Sequence, residues 1–571
     1  MRDTPYYPYG GSQLIRLDPI SLEIISNALR SITDETYVAL MKSAYSTNIK
    51  ERHDHSTAIM DRSGRLVVQA VESLPIHIAS MHGLMQALLD KFGNDIQPGD
   101  LFVANDPHAA GGTHLPDVNL AMPVYIDDEI FGFICNIAHH ADIGGMAPGS
   151  MAGGMSEIYQ EGLRIPVVRL FRNGELQQDL FDLMLLNVRV PKERRGDYFA
   201  QISACRLGER RLQEVVADHG TEQINTAFSD IIDRTRERMG DSIETIPDGD
   251  YHFADMMDGD GIDALDLPIE LMITVSGREI TFDFEGTCAQ VAGNINVTLN
   301  ATQAAVCYSL KALLDPDVPN NQGVLDSVKI LAPRSTLVNC TFPAPVAARA
   351  NTCQRIIDVV LGALSVAFPE RVIAAANGAN TTAVFSGTDP RTGQSYLYLE
   401  TLGGGMGARP TKDGKDGVQV HITNTSNLPI EAIEMEYPLV VDEYSLVEDS
   451  AGAGKYRGGM GLRRVITPRH DNCIFNGAGE RFRHQPWGLF GGGAGGAGRF
   501  LLRSPDKTTR LDNKPNAVKV PRDSAIVIET PGAGGYGPPS ERTADSLRAD
   551  RETGKFSDDY LARHYGTEDR S

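Results

Sequence analysis

The seven cysteines of this chain (Cys135, Cys205, Cys288, Cys307, Cys340, Cys353 and Cys473) are odd in number, widely spaced and free of any Cys-x-x-Cys pair. That excludes a disulfide framework and a thiolate-type zinc site, and predicts buried thiols in a reducing compartment. Long apolar runs are missing as well. No stretch reaches the roughly 18 apolar residues of a membrane span, and Met1 to Gly10 is Tyr- and Pro-rich without the apolar core of a signal segment. The expectation is a cytoplasmic protein with no membrane partner. There is no basic stripe either: 53 Lys and Arg stand against 75 Asp and Glu, a net charge of −22 with the acidic residues scattered, so no nucleic-acid partner is expected.

A phosphate loop is also lacking. Gly403-Gly404-Gly405-Met406-Gly407, Gly452-Ala453-Gly454-Lys455 and the run Gly491 to Gly498 are rich in glycine. The Walker pattern, however, needs Ser or Thr after its Lys and a glycine five residues before the Gly-Lys pair; here Lys455 is followed by Tyr456, and position 449 is Asp449. A dinucleotide fingerprint would have to follow a strand and open a helix, whereas these clusters lie among strands and turns. They read as tight turns and close backbone contacts, so no nucleotide or other organic cofactor is expected on this chain. No Gly-x-Ser-x-Gly elbow precedes a helix, Cys353 has no stronger claim as a nucleophile than as a core thiol, and no repeat period is present.

What is present is a chain of 571 residues, 41% hydrophobic and 22% charged, ample for large cores. The expected fold class is α+β, a mixed multi-layer fold with an N-terminal helix and hairpin region, a helical middle segment and a β-rich, glycine-rich C-terminal part. Residues 1–20 read as a tail. Residues 21–245 form a metal-binding α+β region: a helix over Ser21 to Tyr45, a hairpin turning at Asp61 to Gly64, a helix around Ile78 to Lys91, a second hairpin, and helices from Phe181 to Met239. Residues 246–373 form an α/β middle region with strands at Leu271 to Ser276 and Glu279 to Phe284 and helices at Thr298 to Leu314 and Gln354 to Ala367. Residues 374–539 read as strand and glycine-loop sequence, and 540–571 as a polar tail.

Eight of the fourteen histidines lie between His53 and His140. His114-Leu115-Pro116-Asp117 and His139-His140-Ala141-Asp142 stand at the two ends of one predicted hairpin, whose strands run from Asn119 to Ile126 and from Ile130 to Ala138 with Asp127-Asp128 as the turn. If a two-residue turn sets the register, residues whose numbers sum to about 255 face one another. Asp117 is then beside Ala138, and His114 is close to His139 and His140. Cross-strand Cβ atoms are roughly 5 Å apart, so imidazoles and a carboxylate converge at the hairpin mouth. That donor set suits Zn, Mn, Fe or Ni rather than Ca or Mg. Asp106, His108, His140 and Asp142 are candidates to orient the ligands, Glu51-Arg52-His53-Asp54-His55 offers a further carboxylate, and His77 and His82 stay open between packing and function.

Several ordered motifs then carry a resemblance. Asn48-Ile49-Lys50-Glu51-Arg52-x-Asp54, Asn105-Asp106-Pro107-His108 continuing to His114-Leu115-Pro116-Asp117, and His139-His140-Ala141-Asp142-Ile143-Gly144-Gly145 are followed by Gln354-Arg355-Ile356-x-Asp358-Val359, Thr423-Asn424-Thr425-x-Asn427-x-Pro429 and Thr530-Pro531-Gly532-x-Gly534-Gly535-Tyr536-Gly537. Across nearly its whole length the chain resembles the hydantoinase B and 5-oxoprolinase B-type subunits, relatives of acetone and acetophenone carboxylase subunits. The resemblance implies a divided enzyme. An A-type partner binds ATP and phosphorylates a substrate oxygen; the B-type subunit holds one divalent transition metal (Zn, Mn or Fe), and two copies of each form a heterotetramer. It maps the metal ligands onto His114, Asp117 and His139, with Asp54 as an additional carboxylate; His55 stands where the family commonly has an aromatic residue. The expected reaction is metal-assisted hydrolysis of a phosphorylated cyclic amide or imide, with His140, Asp106 or His108 carrying protons. The same ligand set is compatible with a ketone carboxylase, and a non-catalytic scaffold for the ATPase subunit is the third reading.

Overall fold

The computed structural model describes residues 16–566; the predicted tails lie partly outside them. The first element, α1 (Pro19–Ser43), starts where the Asp18 side chain accepts the amides of Ile20 and Ser21, with Pro19 in the first turn. Its Leu22, Ile25, Leu29, Ile32, Tyr37 and Leu40 are buried, the helical spacing visible in the sequence. After the single-turn α2 (Thr47–Lys50) come β1 (His55–Asp61) and β2 (Leu66–Gln69), joined by a turn in which the Asp61 carboxylate accepts the amides of Ser63 and Arg65. Then follow α3 (Ile78–Phe92), β3 (Leu101–Ala104), β4 (Asp117–Ile126), β5 (Glu129–His139), β6 (Val168–Arg172), β7 (Glu175–Leu176) and three helices, α4 (Gln178–Leu186), α5 (Pro191–His219) and α6 (Thr221–Ile243).

The seven strands form one sheet in the order β2-β1-β5-β4-β3-β6-β7. Both of its faces are covered. Val118, Leu120, Met122 and Ile134 pack with α1, α5 and α6, while their neighbours Ala121, Phe133, Cys135 and Ile137 pack with α3, as the two-residue period of a strand demands. Burial on both faces explains why β4 and β5 read as continuous apolar runs.

The predicted register of this hairpin is off by one. Next to the turn Ile126 pairs with Glu129 and Tyr125 with Ile130, but Val124 pairs with Gly132, so Phe131 is a bulge and every later pair shifts. The consequence falls on the mouth: Asp117 faces His139, not Ala138.

A second sheet consists of β8 (Gly249–Gly259), β9 (Leu265–Ser276) and β10 (Glu279–Asp283), with the helices α7 (Leu299–Leu314) and α8 (Gln322–Leu325) preceding its edge strand β11 (Lys329–Leu331). The following helix, α9 (Arg349–Leu364), is buried throughout. It starts five residues earlier than the sequence pattern indicates, and its first residue reaches the site described below. The last third alternates between two sheets: β12 (Thr381–Thr388) and β13 (Ser395–Leu402), a short helix α10 (Ile430–Glu436) that the sequence pattern does not announce, β14 (Leu439–Leu446), β15 (Leu462–Pro468), β16 (Cys473–Ala478), β17 (Arg499–Arg503), β18 (Thr508–Leu511), β19 (Val518–Val520) and β20 (Ala525–Glu529). Their orders are β13-β12-β16-β19 and β14-β15-β20-β17-β18. The glycine clusters bring backbones together here: a Cβ on Gly407 would lie 1.8 Å from the Ala374 carbonyl oxygen, and one on Gly452 2.3 Å from that of Gly493. Two helices, α11 (Ala544–Glu552) and α12 (Asp558–Tyr565), end the described chain. The described part is thus an α+β fold. None of its helices is long and apolar enough to cross a membrane.

Candidate metal centre

Three side-chain atoms meet at the mouth of the β4–β5 hairpin. His114 Nε2 is 2.9 Å from Asp117 Oδ1, His139 Nδ1 is 3.2 Å from the same oxygen, and the two nitrogens are 3.2 Å apart. Atoms bound about 2.1 Å from one ion in tetrahedral geometry are about 3.4 Å apart, so the spacing fits a shared divalent transition metal. Asp117 and His139 face one another because of the Phe131 bulge, and His114 joins them one turn of loop earlier.

The surroundings leave those three atoms available. Asp117 divides its oxygens: Oδ2 accepts from Arg349 Nη2 at 2.6 Å and Thr113 Oγ1 at 3.0 Å, and Oδ1 faces the imidazoles. Burial opposes the charge on Asp117, but the permanently charged Arg349 guanidinium helps hold its carboxyl well below the usual range. The second nitrogen of His114, Nδ1, donates to the Ala347 carbonyl at 2.9 Å, which leaves Nε2 with its lone pair towards the cluster. Burial, helped by Arg349, pushes the His114 pKa down to about 4, so the ring is neutral and able to ligate at working pH. Ala347 is fixed in turn by Glu161, whose Oε1 accepts the amides of Val346 and Ala347 at 2.7 Å each.

Asp54 and His77 complete the polar wall. Asp54 Oδ2 is 4.0 Å from His139 Nδ1, and the loop that carries it is tied to β5: the His139 amide donates to the Asp54 carbonyl at 3.0 Å, and Asn48 Nδ2 donates to the His139 carbonyl at 2.8 Å. His77 lies just before α3 on the same face of the sheet, with Nε2 3.7 Å from Asp117 Oδ2. Its Nδ1 is 2.8 Å from Ser56 Oγ, and that oxygen already accepts the Leu74 amide at 3.0 Å. In the tautomer in which Ser56 donates to Nδ1, the His77 ring proton is on Nε2, the nitrogen that faces Asp117. Burial keeps this ring neutral. Leu74, Ile76, Met151, Leu399 and Ile422, with Asn380, Thr401 and Thr423 among them, line the rest of a cavity of about 30 Å3, room for one or two water-sized occupants.

The other candidates are elsewhere. His140 follows His139 and so points through the opposite face of the sheet, where Nε2 pairs with Gln201 Oε1 at 2.9 Å and the ring packs on Tyr198; burial lowers its pKa to about 4. Asp106 accepts the amides of His108 and Ala109 and the Nε of Arg164. His108 Nε2 lies 2.9 Å from the Ala344 carbonyl oxygen. Asp142 holds a loop through Gly144, Gly149 and Arg189, and His55 stacks on Tyr37. None of these lines the cavity, nor does His82. Conversely, Arg349, Glu161 and the Ala347 carbonyl carry no signal in the sequence. Arg349 is 232 residues from Asp117, and no local pattern marks it.

A family model described as hydantoinase B/oxoprolinase matches residues 18–539. The B-type subunit of a putative D-/L-hydantoinase from Pseudomonas sp. (strain NS671) is 31% identical over 576 residues, with 97% of this chain and 96% of that protein covered. Among solved structures, the ATP-dependent caprolactamase of Pseudomonas jessenii superposes with a TM-score of 0.92 at 29% identity, covering 96% of each chain. A nucleotide-free acetone carboxylase shares the fold, with a TM-score of 0.90 at 18% identity over 96% of this chain and 79% of that one. With the match to the family model running through both the hairpin and the glycine-rich sheets, the chain belongs to the hydantoinase B/oxoprolinase family.

Proposed function

We propose that this chain is the metal-bearing subunit of an ATP-dependent cyclic-amide hydrolase, acting on a small lactam, imide or hydantoin-like ring after an A-type partner has phosphorylated it. The observation that carries the reading is the convergence of His114 Nε2, Asp117 Oδ1 and His139 Nδ1 in a cavity walled by apolar side chains. The relatives named as a hydantoinase component and an ATP-dependent caprolactamase support the substrate class and the dependence on a partner. A divalent transition metal held by these three residues, with Asp54 beside them, supplies Lewis acidity and lowers the pKa of water.

The protein's part is preparation. Arg349 and Thr113 occupy one oxygen of Asp117 and present the other. The Ala347 carbonyl fixes the His114 tautomer. The apolar walls exclude bulk water, which strengthens every polar contact inside. A proton on His77 Nε2 would face the cavity, where it can donate to the ring nitrogen that gains charge as the phosphate-bearing carbon is attacked, phosphate then leaving. Activation in the partner is chemically reasonable because an unactivated ring amide resists attack.

The test is reconstitution with an A-type subunit of this family. The expected result is about one metal ion per chain, and phosphate release coupled to ring opening across a panel of hydantoins, 5-oxoproline, lactams and ketones. His114→Ala/His139→Ala should lose both metal and ring opening. Bicarbonate-dependent turnover of a ketone, without ring opening, would sink the hydrolytic reading; full activity in the metal-free double variant would sink the metal centre.

A further inference from the structure

The 30 Å3 metal cavity is too small to hold even a five-membered ring, so the substrate needs a place beside it. Residues 417–427 run between that cavity and a second one of about 550 Å3, a volume in the range of small-molecule sites. Thr423 lines both. Thr423 is thus a wall shared by the two spaces, and it belongs to the Thr423-to-Pro429 motif, which the metal centre does not otherwise use.

The larger cavity is built like a ligand site. Leu313, Leu361, Val372 and Met406 give it apolar walls. Two polar tips among them lack partners. The Tyr308 hydroxyl makes no hydrogen bond among the described residues, and His421 Nε2 is buried without one although it lies 3.4 Å from Asp358 Oδ1. His421 also has a φ of +57°, a left-handed conformation that a side-chain-bearing residue keeps only when its surroundings enforce it. Arg371 stands on the wall with no ion pair among the described residues; its guanidinium lies only against the Phe368 ring.

We propose that this chamber receives the phosphorylated ring and delivers it past Thr423 to the metal cavity. The apolar walls take the ring methylenes, Tyr308 donates to a ring heteroatom, and Arg371 meets the phosphate. Thr423 sets the width of the passage. The ligand class is a small ring with one apolar edge, one hydrogen-bonding edge and a dianionic phosphate. This assignment rests on the cyclic-amide reading for the identity of the ring, not for the existence of the chamber.

The reconstituted complex tests it through Thr423→Phe, Tyr308→Phe and Arg371→Gln, with Thr423→Ser as the conservative control. Thr423→Phe is expected to lower kcat/KM by roughly 30-fold or more, about 2 kcal/mol, with metal content and thermal midpoint unchanged. Tyr308→Phe and Arg371→Gln each lose one polar contact and are expected to raise KM roughly tenfold with kcat within about twofold. Thr423→Ser, which does not narrow the passage, should not reproduce that loss. If Thr423→Phe does not fold, the other two variants carry the test. A readout without turnover is saturation-transfer NMR of 2-pyrrolidinone on the complex without ATP: signal from wild type and a weaker one from Tyr308→Phe. No wild-type signal, or kcat/KM within twofold of wild type in all three variants, overturns the chamber. If the complex converts a ketone instead of any cyclic amide, the hydrolytic reading falls, and the same variants assayed on that ketone still decide the chamber.

Discussion

Asp117 is asked to be a buried anion and still offer a free oxygen. Arg349 and Thr113 satisfy one oxygen, and the other is held between the His114 and His139 imidazoles. Replacing Arg349 by Met leaves the carboxylate without its cation, so metal affinity should fall roughly 10- to 100-fold, as for other losses behind a ligand, and stability by about 3–5 kcal/mol; metal titration and denaturant melts read the two effects separately. His77 makes a different prediction. His77→Phe keeps a ring but no proton donor, and kcat should drop roughly 100-fold or more with metal content unchanged, while His77→Gln, which retains an N–H near the Nε2 position, should recover part of the rate. Loss of the metal in His77→Phe would instead make His77 a ligand.

Elements matter here through the places where they touch. The loop that presents Ala347 is clamped by Glu161, a fully buried carboxyl whose pKa burial pushes up to about 8. The folded state thus favours the neutral acid, while the unfolded chain ionises near the ordinary value of 4.5. This group's contribution to stability is full below that value and is lost as pH rises through about 8. Glu161→Gln should flatten the fall in thermal midpoint over this interval; an unchanged pH profile would exclude Glu161 as its source. The approach of α3 to the loop before His114 depends on a bare backbone. A Cβ on Gly111 would meet the Gly83 carbonyl carbon at 2.2 Å, at a φ of +70°. Gly111→Ala should therefore cost roughly 2 kcal/mol or more and weaken metal binding, measured by melting and metal titration.

At the scale of the molecule, the parts share their interior. One apolar cluster includes Met60 and Ala104 of the first sheet, Leu271 of the second, Val360 of α9 and Leu489 of the glycine-rich region. Buried charge crosses the same boundaries. Arg481 donates to Asp255 on β8 and to Asp358 on α9, at 2.8 and 2.6 Å, and Lys514, paired with Glu480, donates to the Gly259 carbonyl of β8 at 2.8 Å. Removing one member strands its partners in a dry interior, so Arg481→Met should destabilise the whole chain by about 3–5 kcal/mol, seen as one shifted unfolding transition. If only a C-terminal fragment melts early, the coupling across these parts is weaker than the shared core implies.

Much of this was legible in order along the chain. The 3.6-residue spacing of α1 and α3, the turn chemistry at Asp61 to Gly64 and Asp127-Asp128, and the His-x-x-Asp and His-His pair at the two hairpin ends are local patterns, and local patterns are what secondary-structure periodicity and turn geometry write into a sequence. The spacing of the motifs was also enough to point to the family. What tertiary structure decided was which of these groups meet. A single bulged residue, Phe131, put Asp117 opposite His139. The alternation of strand faces sent His140 towards α5 and left the opposite face to His77. Arg349, Glu161 and Ala347 reach the centre from remote segments, and Thr423 came to stand between two cavities, because side-chain proximity across hundreds of residues depends on how covered layers stack.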